Sequence, residues 1–254
     1  SIKDLISVSR EKSGARKRTR AQHNLPEHAC LFCFSFDLNS SIHRKNPEAI
    51  LKAFLKAFGE TSRPIENAAL VIKVHPPNEP NKYWQALKEL AIEDPRLYII
   101  EQTMTRSALL SLYQACDAFI SLHRAEGYGR GIAEAFQLGL RVITTDYSGN
   151  VDFCERPEFA DRVKRIPYRL INVKSRQYPH AEGQVWAEPN LDAAANAMLE
   201  VAREVTASAG NLLAVPSGGW PVFSTHKVGT RYAGRLHEIW AGQQSDIDDS
   251  HGDA

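Results

Sequence analysis

Two glutamates eight positions apart, Glu126 and Glu134, stand on either side of a glycine-rich loop and are the first candidates for chemistry. If they shared one continuous helix, their backbones would be about 12 Å apart along its axis, at roughly 1.5 Å per residue. Three glycines among the next five residues argue against such a helix, because glycine lets the backbone approach a ligand and adopt unusual dihedrals. The pattern therefore predicts a loop that carries Glu126 and a following helix that carries Glu134. The free N–H groups where that helix begins suit a diphosphate.

Two cations, Arg44 and Lys45, form the second candidate group, directly before a predicted helix. A guanidinium binds phosphate through two parallel hydrogen bonds, whereas an ammonium acts as a compact charge. Cations placed where negative charge develops lower the barrier of a reaction that releases a phosphate. The alternative is that both are ordinary solvated charges.

The elements that must position these residues alternate between strand and helix about every 25 residues. Such alternation predicts a parallel sheet connected by right-handed crossovers, with ligands bound outside the carboxyl ends of its strands. Both candidate loops leave strands at that edge. We predict that Asn46 caps a helix whose first residue is Pro47. The predicted strands cover residues 30–36, 69–74, 97–100, 118–121, 142–144 and 163–166, and the predicted helices cover residues 47–58, 82–92, 107–115, 191–206 and 225–240.

The segment 121–146, SLHRAEGYGRGIAEAFQLGLRVITTD, resembles the E-x7-E signature of retaining glycosyltransferases of family four, through Glu126 and Glu134. That family has the GT-B fold of two Rossmann-like halves. Residues 36–47, FDLNSSIHRKNP, resemble a branch similar to bacterial polysaccharide transferases. The resemblance implies that this chain is the C-terminal, donor-binding half, an α/β Rossmann-like parallel sheet flanked by helices.

The resemblance also implies a role for each matching residue. Glu126 would contact hydroxyls of the donor sugar, and Glu134 would hold the hydroxyls of the ribose. Arg44 and Lys45 would bind the diphosphate. The nucleotide base would lie after the third strand, near Thr103, held largely through backbone atoms. The loop residues that would meet the diphosphate or the sugar are Gly127, Tyr128, Gly129, Arg130 and Gly131.

At three positions the role of the residue is open. Many members of the family carry an arginine six residues before the lysine, where this chain has Asn39, so Arg44 would have to supply the second cation. Arg130 stands where many members have an apolar residue, and either adds a phosphate contact or faces solvent. For His123 we favour a structural hydrogen-bonding role over that of a base.

Two carboxylates also serve glycosidases as acid and base. A diphosphate leaves without strong acid assistance, so we favour hydroxyl binding for Glu126 and Glu134. The nine histidines are scattered and no D-x-D follows a strand. The resemblance implies transfer without a metal or other cofactor, with a nucleotide-diphosphate sugar as the donor substrate.

Composition and charge limit the partners, the domain bounds and the location that we expect for this chain. The 254 residues carry a formal charge of +1, which makes no general case for nucleic acid. Residues 1–24 are basic and read as a linker or interdomain segment, with a membrane-surface patch as the alternative. Residues 25–241 form the predicted domain, and residues 242–254 a disordered acidic tail. No apolar run is long enough for a membrane span and no secretory signal begins the sequence, which indicates a cytoplasmic protein, with association at the inner face of the membrane as an option.

Cys30 and Cys33 invite a redox or zinc interpretation, but no second C-x-x-C is present. Both lie in a predicted strand, where a spacing of three puts them on opposite faces, so we favour buried hydrophobic roles. Residues 168–189 are predicted to be mostly irregular.

The hypothesis is a retaining hexosyltransferase that uses a UDP- or GDP-hexose and a glycan or lipid-linked acceptor. We place it in bacterial surface-polysaccharide assembly, where it would need an N-terminal GT-B half. The alternative is a nucleotide-sugar-binding or interaction module without turnover. An epimerase or phosphorylase relative is a weaker third option, because no context for a pyridoxal lysine is present.

Overall fold

The computed structural model describes residues 14–59, 67–217 and 219–249. The chain divides into two compact units, the first extending to Val215 and the second beginning at Pro216. The sheet and all candidate site residues belong to the first unit.

Six parallel strands form the central sheet, in the order β3-β2-β1-β4-β5-β6. Strand β1 pairs with β2 on one side and with β4 on the other, so the order of the strands reverses between β1 and β4. A reversal of this kind leaves a crevice at the carboxyl ends of the two strands. The predicted α/β parallel sheet is confirmed. Its strands are β1 (Cys30–Asp37), β2 (Ala68–His75), β3 (Leu97–Glu101), β4 (Ala118–Ser121), β5 (Arg141–Thr145) and β6 (Val163–Ile166).

Helices flank the sheet. Those of the first unit are α1 (Gly14–Gln22), α2 (Ile42–Lys45), α3 (Pro47–Phe58), α4 (Lys82–Ile92), α5 (Arg106–Ala115), α6 (Arg130–Leu138), α7 (Val151–Cys154) and α8 (Leu191–Ala207), with a short 3-10 turn at Pro157–Phe159. Helices α3, α4 and α8 share one apolar cluster with alternate residues of β1, among them Phe32, Phe34 and Phe36. The intervening residues of β1 face the other way, where Ser35 contacts the hydroxyl of Tyr113 on α5.

Helix α1 corrects the expectation for the basic segment at the start of the chain. Arg20 is buried, donates from Nε to the carbonyl of Ala115 at 2.8 Å and pairs with Asp117 at 3.0 Å. Arg16 also pairs with Asp117, whose carboxylate accepts the N–H of Leu31 at 2.8 Å. The segment is thus packed against the sheet through residues 14–22 rather than solvated, because buried guanidinium groups can be satisfied by ion pairs and carbonyls. The prediction for residues 1–13 lies outside the described residues.

A two-stranded hairpin replaces the irregular segment predicted for residues 168–189. Strands β7 (Tyr168–Asn172) and β8 (Val185–Pro189) pair in antiparallel fashion, and the hairpin is closed by a hydrogen bond from the N–H of Val173 to the carbonyl of Gln184 at 2.9 Å. Its two strands are short and far apart in sequence, so no local sequence pattern predicts that they pair.

The second unit contains a 3-10 turn at Pro221–Phe223 and helix α9 (Thr225–Asp249). The helix continues beyond Trp240 to Asp249, where the sequence predicted a disordered tail from Gly242. The predicted apolar stripe is exposed: Tyr232, Leu236, Ile239 and Trp240 are 45–69% accessible. Residues 250–254 lie outside the described residues.

All four cysteines are buried, and none of them forms a disulfide bond with a described residue. Cys30 and Cys33 therefore act as small hydrophobic residues of β1, as expected.

Candidate functional site

The loops that follow β1 and β4 meet at the carboxyl edge of the sheet. Lys45, the last residue of α2, places Nζ 2.5 Å from Oε2 of Glu126. Arg44 lies beside it, with Nη1 3.6 Å from the same carboxylate oxygen and 3.0 Å from the carbonyl of Ala125, to which it donates. Three residues predicted to act together are thus brought together, and all three side chains are largely covered.

Asn46 shapes the corner between α2 and α3, in a way that the sequence did not predict. Its backbone is left-handed, with φ of 54°, and its side chain caps no helix. The amide instead donates to the carbonyl of Leu122 at 2.9 Å, just past the end of β4. Asn46 thus holds the predicted N-cap position, directly before Pro47, but its side chain makes no capping hydrogen bond. The side chain instead ties the loop that carries Lys45 to the strand that leads to Glu126, while Ser41 caps α2 by accepting from the N–H of Arg44.

The charge of Glu126 is set by two opposing effects. Burial raises the pKa of its carboxyl group, but the charges of Lys45 and Arg44 and a hydrogen bond from Lys45 outweigh burial and hold the pKa below its ordinary value. Glu126 is therefore a carboxylate at neutral pH, suited to accept hydrogen bonds from sugar hydroxyls.

The backbone of Glu126 is fixed by the loop after β5. Its N–H donates to Oγ of Ser148 at 2.7 Å, and its carbonyl accepts the N–H of Gly149 at 3.0 Å. Gly149 packs so closely that an added Cβ would lie 1.9 Å from the carbonyl oxygen of Gly127. Only glycine fits at this contact.

The glycine-rich loop has the form predicted from its composition. Gly129 begins α6 with φ of 83°, a conformation that L side chains rarely adopt. A Cβ on Gly131 would lie 2.9 Å from the ring of Phe119, so the helix packs tightly on β4. Gly127 borders open space, and the ring of Tyr128 is half exposed. The backbone of this loop can thus reach a ligand at the start of a helix.

Glu134 is buried on α6 and is held by two guanidinium groups. Nη1 of Arg106, the first residue of α5, lies 2.9 Å from Oε1 of Glu134, and Nε of Arg130 lies 3.5 Å from it. The side chain of Arg130 is 84% exposed, and its contact with phosphate stays a prediction. Thr103 lies in the exposed loop before α5, with no contact to either glutamate among those that the structure describes.

Arg106 was missed by the sequence analysis. Its position after the Thr105 cap, at the start of the helix that follows β3, was the available signal. The pair that it forms with Glu134 links the loop predicted to bind the base with the carboxylate predicted to bind the ribose.

Arg124 was also missed as a site residue. Its Nε donates to Glu188 at 2.7 Å, its Nη1 donates to the carbonyl of His43 at 2.9 Å, and its guanidinium lies over the ring of Trp186. Its own N–H donates to the carbonyl of Arg44 at 2.9 Å. Arg124 thus holds the loops after β1 and β4 against β8.

With this geometry in place, comparison with known proteins identifies the family. Residues 16–158, more than half of the chain, match the family described as glycosyl transferases group 1. The chain belongs to this family. No curated protein matches the sequence.

Solved structures share the fold of this group 1 glycosyltransferase chain. WaaG, a glycosyltransferase involved in lipopolysaccharide biosynthesis, is 16% identical over 77% of this chain and 44% of its own, with a TM-score of 0.52. A glycosyltransferase from Rickettsia africae ESF-5 is 15% identical over 82% and 48%, with a TM-score of 0.56. Sucrose-phosphate synthase from Thermosynechococcus elongatus is 16% identical over 88% and 49%, with a TM-score of 0.54. The chain spans about half the length of these structures.

His123 is a structural residue of this family member. It is fully buried, with Nδ1 3.1 Å from Oγ of Ser121 and Nε2 3.2 Å from the carbonyl of Tyr147. Burial lowers the pKa of its imidazole, despite the opposing effects of that carbonyl and of Glu126. Both ring nitrogens are occupied by hydrogen bonds that suit the neutral form, which agrees with the favoured interpretation.

Asn39, found where many relatives are expected to carry arginine, orders a turn. Its side chain donates to Asp37 at 2.9 Å and accepts the N–H of Asn78 at 3.0 Å. Asn39 is exposed and brings no charge to the site, so Arg44 and Lys45 are the cations next to Glu126.

Within residues 14–59, 67–217 and 219–249, no group of three or more His, Cys, Asp or Glu side chains is arranged to hold a metal ion. No helix in those ranges is long and apolar enough to cross a membrane.

Proposed function

We propose that this chain is the donor-binding half of a retaining glycosyltransferase that transfers a hexose from a nucleotide-diphosphate sugar. The observation that carries the proposal is the contact of Lys45 and Arg44 with Glu126 at the carboxyl edge of the sheet. Cations and a carboxylate from two separate loops converge where ligands of parallel sheets bind. Membership in glycosyl transferases group 1 agrees with this chemistry.

In the reaction, the bond between the anomeric carbon and the diphosphate oxygen breaks, and the electron pair stays on that oxygen. Lys45 and Arg44 stabilise the charge that develops there. The acceptor hydroxyl attacks the same face of the sugar, and its proton passes to the departing phosphate. Configuration at the anomeric carbon is thereby retained.

Glu126 changes partners during this cycle. Without donor its carboxylate is paired with Lys45. When the diphosphate takes the ammonium, Glu126 is released to accept hydrogen bonds from sugar hydroxyls. Glu134, paired with Arg106, would accept hydrogen bonds from the ribose hydroxyls, and the loop at Thr103 would hold the base through its backbone.

The protein's own cations take the place of a metal ion in this proposal. If they do, donor binding and transfer continue in the presence of EDTA. A requirement for Mg²⁺ or Mn²⁺ would contradict this part of the proposal.

The whole enzyme would use a glycan or lipid-linked acceptor in bacterial surface-polysaccharide assembly, on the cytoplasmic side, with an N-terminal GT-B half completing the acceptor site. Support comes from the fold shared with WaaG, a glycosyltransferase involved in lipopolysaccharide biosynthesis, of which this chain covers 44%.

Calorimetric titration with UDP- and GDP-hexoses tests donor binding. We expect one of them to bind, and Lys45→Met to weaken its binding at least tenfold through loss of a charge-assisted contact. Lys56→Met is the control, because Lys56 lies on the exposed face of α3 and pairs with Asp192. Absence of heat with every nucleotide sugar, for a folded chain, would refute the proposal.

A second candidate is a nucleotide-sugar-binding module without turnover. The observation in its favour is that the chain spans about half the length of the structures it matches. Assaying transfer after adding an N-terminal GT-B half separates the two candidates, since only the enzyme would then release nucleoside diphosphate.

A further inference from the structure

Lys73, near the carboxyl end of β2, is a largely buried lysine that has no partner in the described part of the chain. Its side chain is 7% exposed, and it makes no hydrogen bond or ion pair with any residue that the structure describes. Burial lowers the pKa of its ammonium, with only the nearby charge of Asp37 acting in the opposite direction. The ammonium nitrogen is not among the fully buried, unpaired side-chain atoms of the described residues, so the covered side chain brings it to the surface at this edge of the sheet, where it can bind a ligand.

Other buried charged side chains of the first unit are all paired. Arg20 pairs with Asp117, Glu134 with Arg106, and Arg141 with Glu204. Each of these three buried charged side chains therefore has a partner of opposite charge in the described part of the chain. Lys73 departs from that pattern at the edge of the sheet where the donor is proposed to bind.

The neighbours of Lys73 place it close to the nucleoside part of the proposed site. It stands opposite Ser35 of β1 and Ile100 of β3 in the sheet register. Ser35 contacts the hydroxyl of Tyr113. Burial and then the charge of Glu134 raise the pKa of Tyr113, so the proposed ribose-binding carboxylate lies near the same face of the sheet.

The strand next to Lys73 leads to the other part of the nucleoside site. β3 ends at Glu101, and the loop with Thr103 follows. The diphosphate cations, in contrast, follow β1 at the β1–β4 crevice. Lys73 therefore lies on the nucleoside side of the site rather than at the phosphates.

We infer that Lys73 is a further donor-binding residue, whose ammonium donates a hydrogen bond to a carbonyl oxygen of the nucleotide base. The inference rests on the proposed function. Uracil and guanine both present such an oxygen, so the contact serves a UDP or a GDP donor. A lysine in this role favours carbonyl-bearing bases.

The test combines two readouts on Lys73→Met, which keeps the length of the side chain and removes the charge. We expect UDP or GDP, whichever the wild type binds, to bind about 10- to 100-fold more weakly. The melting temperature of the free variant should change by less than about 2 °C, because the ammonium has no partner in the described part of the chain to lose. Lys73→Gln is a second variant that retains a hydrogen-bond donor and should recover part of the affinity.

Lys164→Met is the matched control, since Lys164 is also a strand lysine, on β6, but pairs with Glu200 and Glu204 of α8. It should leave nucleotide affinity unchanged. Inorganic pyrophosphate is the ligand control, and it should bind wild type and Lys73→Met equally.

Each other outcome overturns a distinct statement. Equal UDP or GDP affinity in wild type and Lys73→Met, with binding intact, would refute the role of Lys73 alone. Weaker pyrophosphate binding would assign the ammonium to phosphate and refute the contact with the base. A wild type that binds no nucleotide would refute the proposed function as well.

Discussion

Lys45 and Glu126 are 81 positions apart in the sequence, yet Nζ of the lysine lies 2.5 Å from Oε2 of the glutamate. The ion pair joins the loop after β1 to the loop after β4, and it occupies the ammonium that the diphosphate is proposed to bind. Glu126 and phosphate therefore compete for the same cation.

Glu126→Gln tests this competition. Removing the carboxylate leaves Lys45 free, so UDP should bind about two- to fivefold more tightly, in line with the strength of a partly exposed ion pair. The preference for UDP-sugar over UDP should fall, because the sugar loses a strong acceptor. Calorimetry with both ligands measures the two effects. Glu200→Gln, at an ion pair on α8 far along the sheet, is the control, and weaker UDP binding by Glu126→Gln would contradict the competition.

Gly149 and Gly127 differ in the space that each leaves for a side chain, so alanine substitutions at the two positions test how the site loop is packed. An added Cβ at Gly149 would lie 1.9 Å from the carbonyl of Gly127, whereas one at Gly127 would meet nothing within 4 Å. Gly149→Ala should lower the free energy of unfolding by about 1–3 kcal/mol, and Gly127→Ala should change it by less than about 0.5 kcal/mol. Denaturant unfolding followed by circular dichroism gives both values. Similar losses in the two variants would show that the close approach is not what requires glycine.

Arg124 is expected to stabilise the site through Glu188. Arg124→Met leaves the carboxylate without its partner and should cost about 2–4 kcal/mol of unfolding free energy, with Arg124→Lys recovering part of the loss. A double-mutant cycle with Glu188→Gln should give a coupling of at least about 0.5 kcal/mol. Arg165→Met is the control, because Arg165 pairs with Asp146 and Glu155 at a more exposed position and should cost less than about 1 kcal/mol. Additive effects in the cycle would contradict the role assigned to Arg124.

The buried imidazole of His123 is expected to make the free energy of unfolding depend on pH. Burial lowers its pKa in the folded state, so below about pH 6.5 the unfolded chain takes up a proton that the folded chain does not. The stabilisation is complete above that pH and is lost as pH falls, by up to about 1.4 kcal/mol per pH unit. His123→Gln should reduce this slope between pH 7 and pH 5, whereas His28→Gln, at an exposed position, should not. His23 and His43, whose pKa values burial also lowers, would maintain part of the slope. An unchanged slope in His123→Gln would show that His123 does not titrate in this way.

Most of the sheet could be predicted from the sequence, because its strands are continuous apolar runs and its helices have marked starts. Strand β4 and helix α4 have the predicted bounds. The hairpin β7–β8 could not be predicted from the sequence. Its pairing depends on residues more than ten positions apart and on the packing of Trp186 beneath Arg124. Helix α1 was misread for a similar reason. Its basic residues look solvated until Asp117, some 97 positions away, neutralises Arg20.

The sequence by itself determined the alternating α/β fold, the glycine loop and the types of residue in the site, because apolar periodicity and glycine act on neighbouring positions. Tertiary structure alone decided which groups meet: Lys45 with Glu126, Arg106 with Glu134, and Asn46 with the carbonyl of Leu122 instead of a helix end. It also decided that Lys73 is largely buried and has no partner among the residues that the structure describes. Such contacts follow from the order of strands in the sheet, and that order is fixed by long-range packing rather than by any local pattern.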